Sequence, residues 1–144
     1  MRTAPLLLAG LGLALLAGCG RRGDNSQFSV YPVSGKLALA NGQPVPGARV
    51  RLTAKPGPNR GGADAFGTTQ ADGTFKLQTM DNRDGAMPGL YKVIVEPADN
   101  DPKVSAQDKE FARRNIPAAC RSEDTTKLEA EVKSSGNNLE LTLR

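Results

Sequence analysis

Apolar and polar residues alternate along several short segments of this chain, which is typical of strands that bury one face. The segments are residues 33–39, 48–54, 66–70, 74–77, 90–95, 127–133 and 139–143. Pairs that favour tight turns, such as Asn41-Gly42, Asp72-Gly73 and Pro88-Gly89, lie between them. The pattern predicts an all-β sandwich of about seven strands.

Residues 96–127 are the exception, because they show no clean alternation. Within them, Ser105 is followed three residues later by Asp108, a spacing typical of a capped helix start. We therefore expect one short helix, over residues 106–114, in a long connection between strands.

The amino-terminal segment has a different pattern. Residues 6–17 contain only Leu, Ala and Gly and follow the basic start Met1-Arg2. Such a run is too short to cross ~30 Å of hydrocarbon but is typical of an export signal. It ends in Leu16-Ala17-Gly18-Cys19, which resembles the bacterial lipobox. In that motif the chain is cut before the cysteine, and the cysteine is lipidated.

The lipobox resemblance implies three parts: a lipoprotein signal peptide over 1–18, a flexible tether over 19–29, and a folded domain over 30–144. Acyl chains on Cys19 would hold the domain on a membrane of the cell envelope. Gly20 follows the cysteine, where Asp would resemble an inner-membrane retention signal, so the periplasmic side and an outer leaflet both stay open. The alternative is an ordinary cleaved signal with an unrelated cysteine.

The amino-acid composition raises the question of whether the chain after Gly18 folds. Leu, Ile, Val and Phe make up about 18% of the chain after Gly18, a fraction typical of disordered chains with high net charge. The net charge is only +4, however, and the alternation places most of these few apolar residues on one face of each strand. The domain is therefore expected to fold.

The absence of His excludes Ser–His and Cys–His catalysis and the H-E-x-x-H zinc site. No spacing fixes a pair of carboxylates for glycoside hydrolysis, so no enzyme activity and no cofactor are predicted. If Cys19 carries lipid, Cys120 has no disulfide partner. It is then either a small apolar filler or a reactive thiol.

Three segments resemble the carboxypeptidase regulatory-like domain. They are Val33-x-Gly35-x-Leu37 with the following Asn41-Gly42-x-Pro44-Val45-Pro46-Gly47-Ala48-x-Val50, then Thr69-x-Ala71-Asp72-Gly73-x-Phe75-x-Leu77, and Pro88-Gly89-x-Tyr91-x-Val93-x-Val95. The resemblance implies an antiparallel Greek-key sandwich of the transthyretin (prealbumin) type, used as an accessory or adhesive module.

The carboxyl-terminal part is similar to bacterial envelope lipoproteins that carry this domain. The matching positions are Ile116-Pro117, Thr125-Thr126, Leu128 and Gly136-Asn137. Ala119, Cys120 and Ser122 stand where those proteins have Lys, Tyr and Asp. The missing aromatic residue removes an expected packing anchor from the connection before Lys127.

Acidic loops are the weak candidates for a metal site. Asp81 and Asp84 lie in one loop, and Asp99 and Asp101 lie in another. Their carboxylates are suitable ligands for Ca²⁺, although neither loop has the EF-hand spacing.

Arg49 and Arg51 share the outward face of one predicted strand. We expect a solvated face there and no binding of nucleic acid, because acidic residues are interspersed throughout the chain.

The sequence thus predicts a non-enzymatic, lipid-anchored envelope module that binds an unidentified envelope protein or polymer through its loops or a strand edge. The alternative is a module that binds a metal or a small ligand through the acidic loops.

Overall fold

The computed structural model describes residues 29–57, 62–80 and 82–144. Within these residues the chain forms eight strands, one α-helix (α1) and one turn of 3-10 helix over Ala118–Cys120. The strands are β1 Val33–Leu39, β2 Ala48–Ala54, β3 Ala65–Thr68, β4 Thr74–Lys76, β5 Gln78–Thr79, β6 Gly89–Pro97, β7 Glu129–Val132 and β8 Asn137–Leu143. The helix α1 covers Ala106–Asn115. The predicted signal peptide and all of the tether except Ser29 lie outside the described residues.

The strands form two sheets, one of three strands in the order β4-β1-β8 and one of five in the order β5-β3-β2-β6-β7. This confirms the predicted all-β sandwich with one short helix. The expectation of antiparallel pairing holds for every described ladder except one. β1 runs parallel to β8, with Val33 opposite Asn137 and Leu39 opposite Leu143.

The core lies between the two sheets and follows the alternation in the sequence. Val50 and Leu52 of β2 are fully buried, and so are Val93 and Val95 of β6. Leu37 of β1 meets them from the three-stranded sheet as part of the same apolar cluster. Burial of a large apolar side chain contributes ~1.5–3 kcal/mol, so this economical core is adequate for a small sandwich.

Gly35 in the central strand β1 marks the tightest packing in the three-stranded sheet. A Cβ atom there would collide with the carbonyl oxygen of Leu139 and lie 2.5 Å from Cζ of Phe75. The aromatic ring therefore occupies the space that a side chain at residue 35 would need. This position requires glycine for packing, and its backbone conformation is not the reason.

The helix α1 begins as the sequence predicts, because the Ser105 hydroxyl accepts a hydrogen bond from the Asp108 amide at 3.1 Å. Its buried residue, Ala112, joins the core cluster together with Ile116 and Cys120 from the segment that follows. The connection thus supplies part of the core.

The same connection also covers the other face of β6. Ile94, which points away from Val93 and Val95, is fully buried. Nζ of Lys92 on that outer face donates to the carbonyl of Glu123 at 2.8 Å, and the Thr126 hydroxyl donates to the carbonyl of Val93 at 2.7 Å. The stretch after α1 therefore crosses the outer face of the five-stranded sheet before it enters β7.

The sandwich has two distinct ends. We call the start of β1 the tether end. There Tyr31 pairs with Ala86, and the carbonyl of Pro32 accepts a hydrogen bond from the Asn137 amide at 2.9 Å. Since a short loop joins the end of β1 to the start of β2, Ala48 and its ladder partner Pro97 lie at the opposite, distal end. Among the described residues, no helix has the length and apolarity needed to cross a membrane.

Candidate functional site

A cavity of about 500 Å³ opens on the outer face of the five-stranded sheet, in its distal half. β2, β3 and β6 contribute Arg49, Phe66, Thr68 and Glu96, and the segment 97–102 and Arg121 complete the lining. Pockets that bind small ligands in proteins are typically ~300–1,000 Å³. This cavity is therefore large enough for a ligand, and we treat it as the candidate site.

The alternation of the strands places these side chains together. Ala48 and Val50 point into the core, so Arg49 points outward. In the ladders, Arg49 lies opposite Thr68 of β3 on one side and opposite Glu96 of β6 on the other. The arginine therefore stands in the middle of a three-strand row of polar side chains.

The guanidinium of Arg49 stacks on an aromatic ring. Its central carbon lies 4.6 Å from the centroid of the Phe66 ring, which is a cation–π distance. Its Nε is shielded from solvent and has no hydrogen-bond partner among the described residues. The stacking fixes the guanidinium plane while leaving its N–H groups without an acceptor among the described residues.

The expectation that Arg49 and Arg51 form a solvated strand face holds only in part. Both residues are half-buried, and Nε of Arg51 is likewise shielded and without a partner in the described part of the chain. The reason is that the outer face is not open to water along its whole length. The Phe66 ring covers part of Arg49, and the connection after α1 covers the neighbouring part of β6.

Glu96 is the acidic counterpart of Arg49 in the same cavity. Although the two residues are ladder partners, no ion pair joins them, and the side chain of Glu96 makes no hydrogen bond within residues 29–57, 62–80 and 82–144. The cavity therefore holds one cation and one anion that are both free to pair with a ligand. Shielded donors without partners are costly, so a ligand that satisfied them would be stabilised.

The acidic loop forms a wall of the cavity, and its carboxylates are already engaged. Asp99 accepts a hydrogen bond from Nε of Arg113 at 2.9 Å. Asp101 accepts hydrogen bonds from the Lys103 amide at 2.9 Å and from the Thr68 hydroxyl at 3.0 Å. The Lys103 amide is the main reason why the pKa of Asp101 lies below its usual value. These contacts fix the loop and leave both carboxylates occupied.

Arg121 closes the cavity from the side of the connection. Its Nη2 donates to the carbonyls of Arg113 and Ile116, both at 2.7 Å, and its Nε donates to Ile116 at 3.2 Å. The guanidinium thus caps the carboxyl end of α1, where cations are favoured. Its role is to position the wall, whereas the side chain of Arg49 makes no hydrogen bond to any described residue.

The three candidate metal ligands that the structure describes do not form a cluster. Asp99 and Asp101 share the cavity wall, whereas Asp84 pairs with Gln78 beside β5 and does not line the cavity. Asp81 lies outside the described residues. Among the residues described, no group of three or more Asp, Glu, His or Cys could hold a metal ion.

Two site residues were missed in the sequence. Phe66 was predicted only as the start of a strand, and Glu96 only as the start of the long connection. The alternation of inward and outward residues could have identified them. Phe66 follows the buried Ala65 and Glu96 follows the buried Val95, so both side chains lie on the same outward face as Arg49. Local periodicity does not give the ladder register that brings the three together.

Of the remaining predicted residues, Cys120 does not line the cavity. Leu16, Ala17, Gly18 and Cys19 are outside the described residues. Cys120 is buried, and burial raises the pKa of its thiol, which suits a packing role. A scan against models of known protein families finds no match, and a search of curated proteins finds no significant relative.

Proposed function

We propose that the protein is a non-enzymatic, lipid-anchored module of the cell envelope whose partner is an envelope protein or polymer. One observation carries this proposal. The motif Leu16-Ala17-Gly18-Cys19 precedes a Gly-rich polar segment, and a β-sandwich starts at Val33 directly after that segment. A lipidated cysteine, a short tether and a folded domain in this order are the parts that an anchored module needs.

The topology supports this arrangement because the tether would enter the fold at a central strand. β1 is paired on both sides, by β4 and by β8, so a pull on the tether is resisted by two ladders. A flexible linker of about ten residues has an average end-to-end distance of roughly 17 Å. The domain would therefore stay close to the membrane surface.

The direction of β1 also decides which surface faces a partner. The tether end contains the start of β1, and the cavity lies toward the distal end, where Ala48 pairs with Pro97. An anchored domain with this geometry presents the cavity away from the lipid. We propose that this distal part of the five-stranded sheet is the surface that meets the partner.

The test of the anchor compares the two cysteines of the chain. Cys19→Ser should release the protein from membranes into the soluble envelope fraction and abolish incorporation of labelled fatty acid. Cys120→Ser is the matched control and should stay on membranes with its label, because its thiol is buried in the fold. Membrane binding and labelling of the Cys19→Ser variant at the level of the unmodified chain would refute the proposal.

A further inference from the structure

Some charged side chains that line the cavity on the five-stranded sheet are engaged by protein contacts, and others are not. Asp99, Asp101 and Arg121 are occupied by protein contacts. The side chains of Arg49 and Glu96 make no ion pair and no hydrogen bond within the described ranges 29–57, 62–80 and 82–144. A complementary ligand must therefore bring one anionic group for Arg49 and one N–H donor for Glu96, at the short separation set by two neighbouring strands.

The stacking on Phe66 determines which anion fits Arg49. The ring fixes the guanidinium plane, and Nε is shielded, whereas the two terminal nitrogens are not shielded and have no acceptor in the described chain. A planar carboxylate matches the fork of a guanidinium, and such charge-assisted bonds are stronger than neutral ones. The geometry favours a carboxylate approaching from the cavity side.

The acidic wall excludes ligands with many negative charges. Glu96 and the carboxylates of Asp99 and Asp101 line the same cavity, so the further negative charges of a polyanion would be repelled by these three carboxylates. A single carboxylate next to backbone N–H groups avoids this repulsion. The apolar surfaces of Phe66 and Pro97 provide contact for a side chain.

We propose that this cavity binds the carboxyl terminus of a peptide chain, with the terminal carboxylate on Arg49 and a backbone N–H of the peptide on Glu96. A volume of about 500 Å³ accommodates a short terminal segment, and the rest of the partner stays outside. This inference rests on the proposed function, because it names the partner chemistry of the surface that anchoring would present. The partner is thereby a protein with an accessible carboxyl terminus.

Calorimetric titration of the full-length protein in detergent micelles tests this assignment. The probe is the tripeptide acetyl-Ala-Ala-Ala with a free carboxylate, and its carboxamide is the matched ligand control. We expect the free acid to bind and the amide to bind at least roughly tenfold more weakly, since a charged hydrogen bond is lost. Equal affinity of acid and amide, or no binding of the acid at millimolar concentration, would overturn the inference.

Variants then locate the site. Arg49→Ala should weaken binding of the acid roughly tenfold to a hundredfold. Arg51→Ala is the matched control and should leave the affinity unchanged, because Arg51 is the next outward arginine on β2 but does not line the cavity. Arg49→Lys keeps the charge without the fork and should weaken binding as well, and circular dichroism verifies that each variant is folded. Equal losses from Arg49→Ala and Arg51→Ala would contradict the assignment.

Glu96→Gln tests the second contact. The amide keeps the shape of the side chain and removes its charge, so binding of the acid should weaken by roughly threefold to tenfold. Tighter binding of polyglutamate than of the tripeptide would overturn the inference in favour of an acidic polymer. If the unmodified protein does not bind the tripeptide acid but the Cys19→Ser variant is released from membranes, this inference alone is refuted. If the peptide binds but the Cys19→Ser variant stays on membranes, the anchor alone is refuted.

Discussion

The hydroxyl of Tyr91 is the polar group whose removal tests the packing of the tether end. The side chain is fully buried. Its hydroxyl donates a hydrogen bond to the Met87 carbonyl at 2.7 Å and accepts one from the Gly62 amide at 2.9 Å. Tyr91→Phe removes both bonds and keeps the ring, so the variant isolates the contribution of this hydroxyl.

The expected loss follows from these two bonds. Each contributes ~0.5–1.5 kcal/mol net, and a buried carbonyl left without a donor adds to the cost. Gly62 is half-buried, so its amide regains water in part, whereas Met87 stays buried. We expect Tyr91→Phe to lower the free energy of unfolding by ~1–3 kcal/mol, which corresponds to a fall in Tm of roughly 5–15 °C for a domain of this size.

Thermal unfolding of the full-length protein, followed by far-UV circular dichroism, measures this effect. Tyr31→Phe is the matched control, because Tyr31 is half-buried and its hydroxyl makes no hydrogen bond to any described residue. The control should change the free energy of unfolding by less than about 0.5 kcal/mol. Equal effects of the two substitutions would refute the reasoning.

The same residue gives a pH dependence with a definite sign. Burial raises the pKa of the Tyr91 hydroxyl above its usual value. The unfolded chain therefore loses this proton first as the pH rises, and the stability from the neutral phenol is complete below about pH 10 and is lost above it. Tyr91→Phe lacks this ionisation, so its Tm should fall less steeply between pH 9.5 and 11.5. Parallel Tm curves for the two proteins would refute the assigned cause.

Three further predictions concern packing, capping and the buried thiol. Gly35→Ala should lower the free energy of unfolding by ~1–3 kcal/mol because its Cβ would meet the Leu139 carbonyl. Gly136→Ala, with no atom within 4 Å, should change it by less than about 0.5 kcal/mol in the same thermal assay. Ser105→Ala should cost ~1 kcal/mol through loss of the helix cap, and an unchanged Tm would contradict the capping role. Cys120 should resist iodoacetamide at pH 8 in the folded protein and react fully in urea, as mass spectrometry would show, and rapid labelling of the folded protein would contradict its burial.

Much of the fold could be predicted because the sandwich depends on local alternation. β1 and β2 have the predicted bounds, and α1 extends one residue past the predicted helix. β5 was missed, since two residues cannot display a period of two. β8 begins at Asn137, earlier than predicted, because that side chain closes the preceding turn itself: it accepts from the Lys133 amide at 2.8 Å and donates to the Ser135 carbonyl at 2.7 Å.

The parallel pairing of β1 with β8 could not be predicted from the same signal. Alternation states which face of a strand is buried but not which strand lies beside it, or in which direction. The partners Val33 and Asn137 are more than a hundred residues apart along the chain, and no turn between them constrains the pairing. Such a contact is selected by the packing of the whole core.

The candidate site on the outer face could likewise not be predicted from the local alternation of residues. Alternation correctly placed Arg49 away from the core, but outward does not mean solvated when another part of the chain crosses the sheet. Residues 98–128 show no strand-like alternation, yet they cover the outer face where Ile94 is buried and bring Arg121 to the cavity. An outward arginine becomes a candidate ligand group only when an aromatic neighbour such as Phe66 orders it and no carboxylate neutralises it. For Arg49 both conditions depend on ladder register and on the path of the connection, which only the three-dimensional structure supplies.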